Sequence, residues 1–256
     1  RSLLLDLDDV AWDPELLAMG LHVPKFFPDV PTRFAVVPRR GATEDIRWFE
    51  AAPTYVLHWI NAYEEGDEIV LDGFFQHNPE PSRQPGSSKM ASLYRYIDLA
   101  QLDARPHRWR LNLRTGETRE EPLSDRVMEF GMVNAQVYGH DYRYAYNMTA
   151  EPGMFLFDGL VKHDLRTGCD ERYAFGEGVY GSETPFAPRP GATAEDDGYL
   201  VTFTTDMVRD RSECLVFDAA SITDGPIARV RLPERISSGT HSCWTPAAAL
   251  PGSSAG

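Results

Sequence analysis

The chain has 256 residues with 39 Asp+Glu against 25 Lys+Arg, a formal net charge of -14. That rules out a small stapled scaffold and sets it against nucleic-acid binding, because a polyanion would be repelled. Hydrophobic residues at 42% and charged residues at 25% are those of a globular protein able to bury a core. Gly 20 and Pro 19 come together to about 15% of the chain against a usual background of about 12%, which favours many short elements joined by turns over long helices.

The chain opens at Arg1 inside an apolar run, Ser2-Leu3-Leu4-Leu5-Asp6-Leu7, without an initiator Met or a polar leader, so an amino-terminal portion is expected to precede it. The one helix start is Asp13-Pro14-Glu15-Leu16-Leu17, with Asp as N-cap and Pro at the first helical position, good for a turn or two. Period-two, β-branched or aromatic segments then dominate: Thr54–Ile60, Glu68–Phe74, Ser92–Ile97, Arg108–Leu113, Tyr199–Thr204 and Cys214–Phe217, each bounded by Gly, Pro, Asp or Asn. The fold class expected is all-β. Glu64, Glu65, Asp67 and Glu68 form a solvated hairpin turn, residues 76–89 form a loop insertion, a second loop spans 189–198, and residues 251–256 form a flexible tail. Nothing marks a domain boundary, so residues 1–256 are expected to be part of a single domain.

An internal repeat narrows the fold. Trp109-Arg110-Leu111-Asn112-Leu113-Arg114-Thr115-Gly116 is echoed 52 residues later by Val161-Lys162-His163-Asp164-Leu165-Arg166-Thr167-Gly168, and Cys214-Leu215-Val216-Phe217-Asp218 places Asp218 54 residues after Asp164. Each copy is a strand ending in Asn or Asp, then a turn. A period near 50 in an all-β chain fits four-stranded propeller blades, with Asn112, Asp164 and Asp218 at equivalent strand ends.

Cys169, Cys214 and Cys243 are an odd count without CxxC spacing, which indicates neither a disulfide framework nor a thiolate zinc site and fits a reducing, cytoplasmic setting. No Walker loop or HExxH is present; Gly252-Ser253-Ser254-Ala255-Gly256 spells GxSxG only within the tail, and Gly176-Glu177-Gly178-Val179-Tyr180-Gly181 spells GxGxxG without the helical pattern a dinucleotide site needs after it, and no apolar run spans a bilayer. Chemistry must come from residues that blades bring together. His58, on the apolar stretch Tyr55–Asn61, and His241, in Gly239–Trp244, are candidate inward metal ligands; Glu129 and Glu183 sit in settings that do not read as solvated charge. Glu129 to Glu183 spans 54 residues, Glu183 to His241 spans 58, and His58 to Glu129 spans 71, one blade plus the insertion. A ligating imidazole hands its other N–H to a carboxylate or carbonyl, which pairs His58 with Glu129 and His241 with Glu183. The competing reading is two buried histidines satisfied by backbone. His22, His77, His107, His140 and His163 read as surface or locally hydrogen-bonded groups, and Asn147-Met148-Thr149 as an unused glycosylation sequon.

These residues carry a resemblance. His58-Trp59-Ile60-Asn61-Ala62-Tyr63-Glu64-Glu65-Gly66-Asp67 resembles the third iron-histidine motif of the carotenoid cleavage oxygenases, a family that includes stilbene-cleaving dioxygenases and the retinal-pigment isomerohydrolase. Met128-Glu129-Phe130 is similar to the family's Glu-Phe-Pro, with Gly131 for Pro. Gly181-Ser182-Glu183-Thr184-Pro185-Phe186-Ala187-Pro188-Arg189 is similar to Gly-Glu-Pro-x-Phe-x-Pro-Arg, and Gly239-Thr240-His241-Ser242-Cys243-Trp244 to Gly-Phe-His-Gly-x-Trp. The resemblance implies a seven-bladed β-propeller of which this chain is the carboxy-terminal part. It implies Fe(II) held by four histidines, two of them His58 and His241, with Glu129 and Glu183 behind them and the first two histidines and one glutamate before Arg1. It implies a dioxygenase that uses O2 to cleave a conjugated double bond of a carotenoid or apocarotenoid into two carbonyl products, with no catalytic residues beyond the metal site. Trp59, Phe74, Phe130 and Trp244 are candidate liners for a lipophilic polyene or stilbene, peripheral membrane contact is assigned to the missing portion, and the isolated chain is expected to be inactive. A stilbene-cleaving dioxygenase, an iron Lewis acid acting on an ester, and a non-catalytic interaction propeller remain as alternatives.

Overall fold

A computed structural model describes residues 26–79, 98–153, 155–237 and 239–246, and these described residues form four antiparallel sheets. The helix expected at Asp13, the strand expected at Ser92–Ile97, the loop from residue 80 to 89 and the tail 251–256 lie outside the described residues. The described residues divide into two compact units. One comprises the chain up to Glu129 with Gly139–Asp141 and Ala150–Phe155; the other comprises Phe130–Tyr138, Tyr142–Thr149 and the chain from Leu156 onward.

In the first unit, β1 (Thr32–Val36) pairs with β2 (Arg47–Ala51), and β3 (Trp59–Glu65), β4 (Glu68–Gln76), β5 (Ala104–Asn112) and β6 (Thr118–Pro122) form a four-stranded meander. The β3–β4 hairpin closes at Gly66, whose φ of 59° lies in the left-handed region that glycine enters without a Cβ penalty; Glu64, Glu65 and Asp67 are exposed as expected, whereas Glu68 is largely buried because Arg110 and Arg119 pair with it. Trp109 and Leu111 of β5 pack on Phe49 of β2, with Phe34, Val56, Ile69 and Phe75 around them. The outermost strand, Thr-Arg-Glu-Glu-Pro, is exposed along its charged positions, a composition that discourages edge-to-edge association.

Two details differ from the expected boundaries. Thr54–His58 is irregular, and the strand begins only at Trp59. Pro53 lacks a donor, and the Thr54 hydroxyl both accepts from Gln76 N and donates to Gln76 O, each at 3.0 Å, so this side chain takes the place of a backbone ladder. Strand β4 continues through the buried Gln76, and irregular chain begins at His77. A helical turn at Leu99–Leu102, capped by Asp98 accepting from the amides of Ala100 and Gln101, was not foreseen.

The sheet β7 (Glu129–Met132), β8 (Tyr144–Ala150), β9 (Phe157–Asp164) and β10 (Cys169–Ala174) runs in sequence order. In the last sheet β13 (Gly198–Asp206) pairs with β11 (Val179–Tyr180), β12 (Phe186–Pro188) and β14 (Arg211–Asp218), and β14 pairs with β15 (Pro226–Arg231). Within the second unit, Tyr146 stacks on Phe186 and donates to Ala219 O at 3.2 Å, and Tyr173 meets Phe217 edge-on at 4.9 Å. Buried Lys162 joins the same packing through Asp196 at 2.8 Å and Ala220 O at 3.1 Å. Asn147 is fully buried, which closes the sequon.

The repeat has a direct structural counterpart. Asn112, Asp164 and Asp218 are the last residues of β5, β9 and β14, each of which pairs with the outermost strand of its sheet. In each, the side-chain oxygen accepts the amide two residues on: Arg114 N at 2.9 Å, Arg166 N at 3.0 Å and Ala220 N at 2.9 Å. An Asx turn ends the strand and starts the outer hairpin. The three meanders are propeller blades in plan, and the all-β expectation holds.

Candidate metal centre

His58 is the residue before β3, at the end of the irregular segment that Thr54 ties to Gln76. A register shift between Trp59 and Asn61 breaks the alternation, so that Ile60 and Asn61 are both buried; bulges of this kind re-aim side chains. The His58 ring is about three-quarters buried, with its Nδ1 2.7 Å from Oε2 of Glu129, whose carboxylate is fully buried at the start of β7. An ionised carboxylate only accepts, so with Glu129 ionised the proton lies on Nδ1 and the lone pair on Nε2. Burial, and secondarily the negative charge of Glu129, push the Tyr55 phenol above its ordinary value.

His241 is held differently. Glu183, in the link between β11 and β12, is largely buried; its Oε2 accepts the Ser242 amide at 2.6 Å, while Ser242 Oγ donates to Glu183 O at 3.0 Å. The same Oε2 lies 3.5 Å from His241 Nδ1, in ion-pair range but beyond good hydrogen-bond geometry. The His241 ring is 64% exposed. Its face stacks on Phe130, with centroids 5.5 Å apart and planes at 30°. The expected pairing of His58 with Glu129 is thus a short hydrogen bond. That of His241 with Glu183 is a grip on the following peptide with the ring alongside.

Of the residues expected to line a tunnel, Phe74 and Phe130 are buried, whereas Trp59 and Trp244 are about half exposed. Trp59 leans on Trp109 at 5.4 Å and lies over Gly73, where a Cβ would come within 2.8 Å of its ring. The other histidines that fall on described residues are local: His107 meets Glu120 at 3.2 Å, His163 meets Asp170 at 2.6 Å, and His77 and His140 are exposed. His107 and His163 are buried rather than superficial, because each has a carboxylate on the neighbouring strand. Cys243 is exposed and free. Among the described residues no three His, Cys, Asp or Glu side chains form a group able to hold a metal, and no helix is long and apolar enough to cross a membrane. Missed from the sequence were Ser242 as the partner of Glu183 and the contact of Phe130 with His241; the Gly-Thr-His-Ser run, lacking strand periodicity, was the available signal that its amides needed side-chain partners.

The family profile for RPE65, retinal pigment epithelial membrane protein, matches residues 5–246. A carotenoid cleavage oxygenase of Mycobacterium tuberculosis is 33% identical over 231 residues, covering 86% of this chain and 43% of that protein. Lignostilbene-alpha,beta-dioxygenase isozyme III of Sphingomonas paucimobilis is 31% identical over 261 residues, 94% of this chain and 51% of its own length. Among solved structures, a Synechocystis apocarotenoid oxygenase variant aligns with a TM-score of 0.75 at 28% identity, over 87% of this chain and 46% of that one; a cobalt-substituted form of the same oxygenase aligns with a TM-score of 0.73. The chain spans about half the length of the curated relatives it matches. With its blade-like sheets, its short His58–Glu129 pair and a profile match across nearly its whole length, this chain belongs to the RPE65/carotenoid cleavage oxygenase family.

Proposed function

We propose that the protein is a non-haem Fe(II) dioxygenase that uses O2 to cleave a conjugated carbon–carbon double bond of a carotenoid or apocarotenoid, giving two carbonyl products. The observation that carries the proposal is the 2.7 Å contact between His58 Nδ1 and the fully buried Glu129 carboxylate. A buried carboxylate on an imidazole fixes the tautomer, orients the ring and raises the basicity of the free nitrogen, which is the arrangement behind metal-ligating histidines. The donor types suit iron: His58 and His241 would each offer a neutral nitrogen, with Glu129 behind the first and Glu183 anchoring the peptide that carries the second. Neutral imidazoles leave Fe(II) its full charge and suit binding of O2.

Support for the polyene class comes from the mycobacterial carotenoid cleavage oxygenase and the Synechocystis apocarotenoid oxygenase. A stilbene substrate is the second reading, favoured by the lignostilbene dioxygenase at 31% identity. Two imidazoles do not complete a four-histidine set, so residues 1–256 alone are expected neither to hold stoichiometric iron nor to turn over.

The test is iron analysis of the purified full-length protein, followed by oxygen uptake with an apocarotenal and with a hydroxylated stilbene. One iron per chain and consumption of one O2 per double bond cleaved support the proposal; faster cleavage of the stilbene selects the second reading. Full-length protein without iron, inert toward both, points instead to a propeller used for binding.

A further inference from the structure

We infer that Phe130 is a positioning residue for His241, fixing the ring from its face while Glu183 holds the peptide beside it. The inference rests on reading His241 as a metal ligand. Phe130 is buried and has a φ of 55°, in the left-handed region that bulky side chains rarely enter. Glycine or asparagine would occupy that conformation at lower cost, so the phenyl group must serve a purpose there. In an ordinary strand the side chain of residue 130 would point away from that of residue 129, yet both are buried. The left-handed turn of the backbone directs the ring against Phe157, edge-on at 4.8 Å, and flat against the imidazole of His241.

His241 needs such support. Its ring is mostly exposed, it lies on a segment without ladder hydrogen bonds, and the carboxylate 3.5 Å from it also accepts the Ser242 amide. Strain that the surroundings hold in place is characteristic of sites where geometry matters. An imidazole stacked on a fixed phenyl loses rotational freedom about its side-chain bonds before any metal arrives, which is preorganisation of a ligand.

The test uses the full chain, Co(II) alone as the probe, and the variants F130L, F130Y, H241A and, as a matched loss of core aromatic packing, F217L, since Phe217 is fully buried elsewhere in the same unit. Losing an aromatic face contact of this kind should raise a metal Kd by about 2- to 10-fold; F130L should do so, F130Y should retain most of the affinity, and F217L should lower Tm without changing the Kd. A second readout needs no metal: the His241 ring protons in the wild-type protein should show an upfield ring-current shift, absent in F130L. Wild-type His241 lacking that shift, F130L binding Co(II) like the wild type, or F130L and F217L losing affinity alike would each overturn the inference. If H241A binds Co(II) unchanged, the metal reading of His241 falls and the inference with it; if H241A loses affinity while F130L does not, only the inference falls.

Discussion

Replacing Glu129 by Gln isolates the charge of the group behind His58 from its shape. The carboxylate is fully buried and takes Nδ1 at 2.7 Å, so the glutamine can keep an acceptor oxygen in place while losing the negative charge. A hydrogen bond to a charged group contributes about 1.5–3 kcal/mol and a neutral one about 0.5–1.5 kcal/mol, so the exchange weakens the contact by about 1–1.5 kcal/mol. Because the contact strengthens when the free nitrogen binds a cation, most of that difference should appear in metal affinity, about a 10-fold rise in Kd. This lies at the lower end of the 10 to 100-fold range for groups that support metal-binding histidines. At saturating metal the same factor removes about 1.4 kcal/mol of ligand-derived stability. Anaerobic competition of Fe(II) between the full-length protein and a chromophoric chelator measures the Kd, and thermal melting of the metal-free forms checks the fold. An unchanged Kd in Glu129→Gln, with both variants equally folded, would refute the role given to Glu129.

Two predictions concern the blades. Gly198→Ala should destabilise the protein by about 1–3 kcal/mol, because a Cβ there would lie 2.7 Å from the Ala187 carbonyl oxygen and 2.5 Å from the Phe186 ring; an unchanged urea midpoint would contradict the close β12–β13 pairing. The Arg143 guanidinium, bonded to both oxygens of Asp164, and the Arg166 amide hold the Asp164 carboxyl well below the usual aspartate range. With its folded value depressed, Asp164 contributes stability that is complete above its unfolded pKa of about 3.9 and is lost as pH falls below it. The stability difference between wild type and Asp164→Asn should therefore shrink in urea titrations between about pH 5 and pH 2.5, and a constant difference would exclude this linkage.

How much of this was legible depended on whether side chains or backbone carried the signal. The Asn112, Asp164 and Asp218 turns were readable because the residue types that stop a strand are those whose side chains accept the amide two residues on. Thr54–His58 looked like a strand by alternation, but the Thr54 hydroxyl takes the backbone groups of Gln76 in place of a ladder, and pattern counting does not register that competition. Lys162 entered only as part of the repeat and His163 as a surface or locally bonded group, and only the fold shows that both are buried, with Asp196 meeting the amine and Asp170 the His163 Nδ1. Phe130 gave no warning, since phenylalanine is a normal strand residue and a left-handed φ is set by tertiary context. The turn at Leu99–Leu102 is too short for any helical period to reveal.

The two glutamates show why equal spacing does not secure equal roles. Both were expected to brace a histidine because they stand one blade apart, and only Glu129 does so through a short contact to the ring. His58 precedes a paired strand, so the peptides that follow it are satisfied by the β3–β4 ladder and the carboxylate is available to the imidazole. His241 lies in residues 239–246, which belong to no strand. The partly buried Ser242 amide must find an acceptor other than a sheet neighbour, and a carboxylate is a stronger acceptor for a peptide N–H than a carbonyl. The Ser242 amide therefore takes Glu183 Oε2 at 2.6 Å and leaves the His241 nitrogen at 3.5 Å. What holds the segment down is this peptide contact, joined by Thr205 Oγ1 to Ile236 O and Ile236 N to Ser212 Oγ further back. On its face the ring meets Phe130, which orients it from that side.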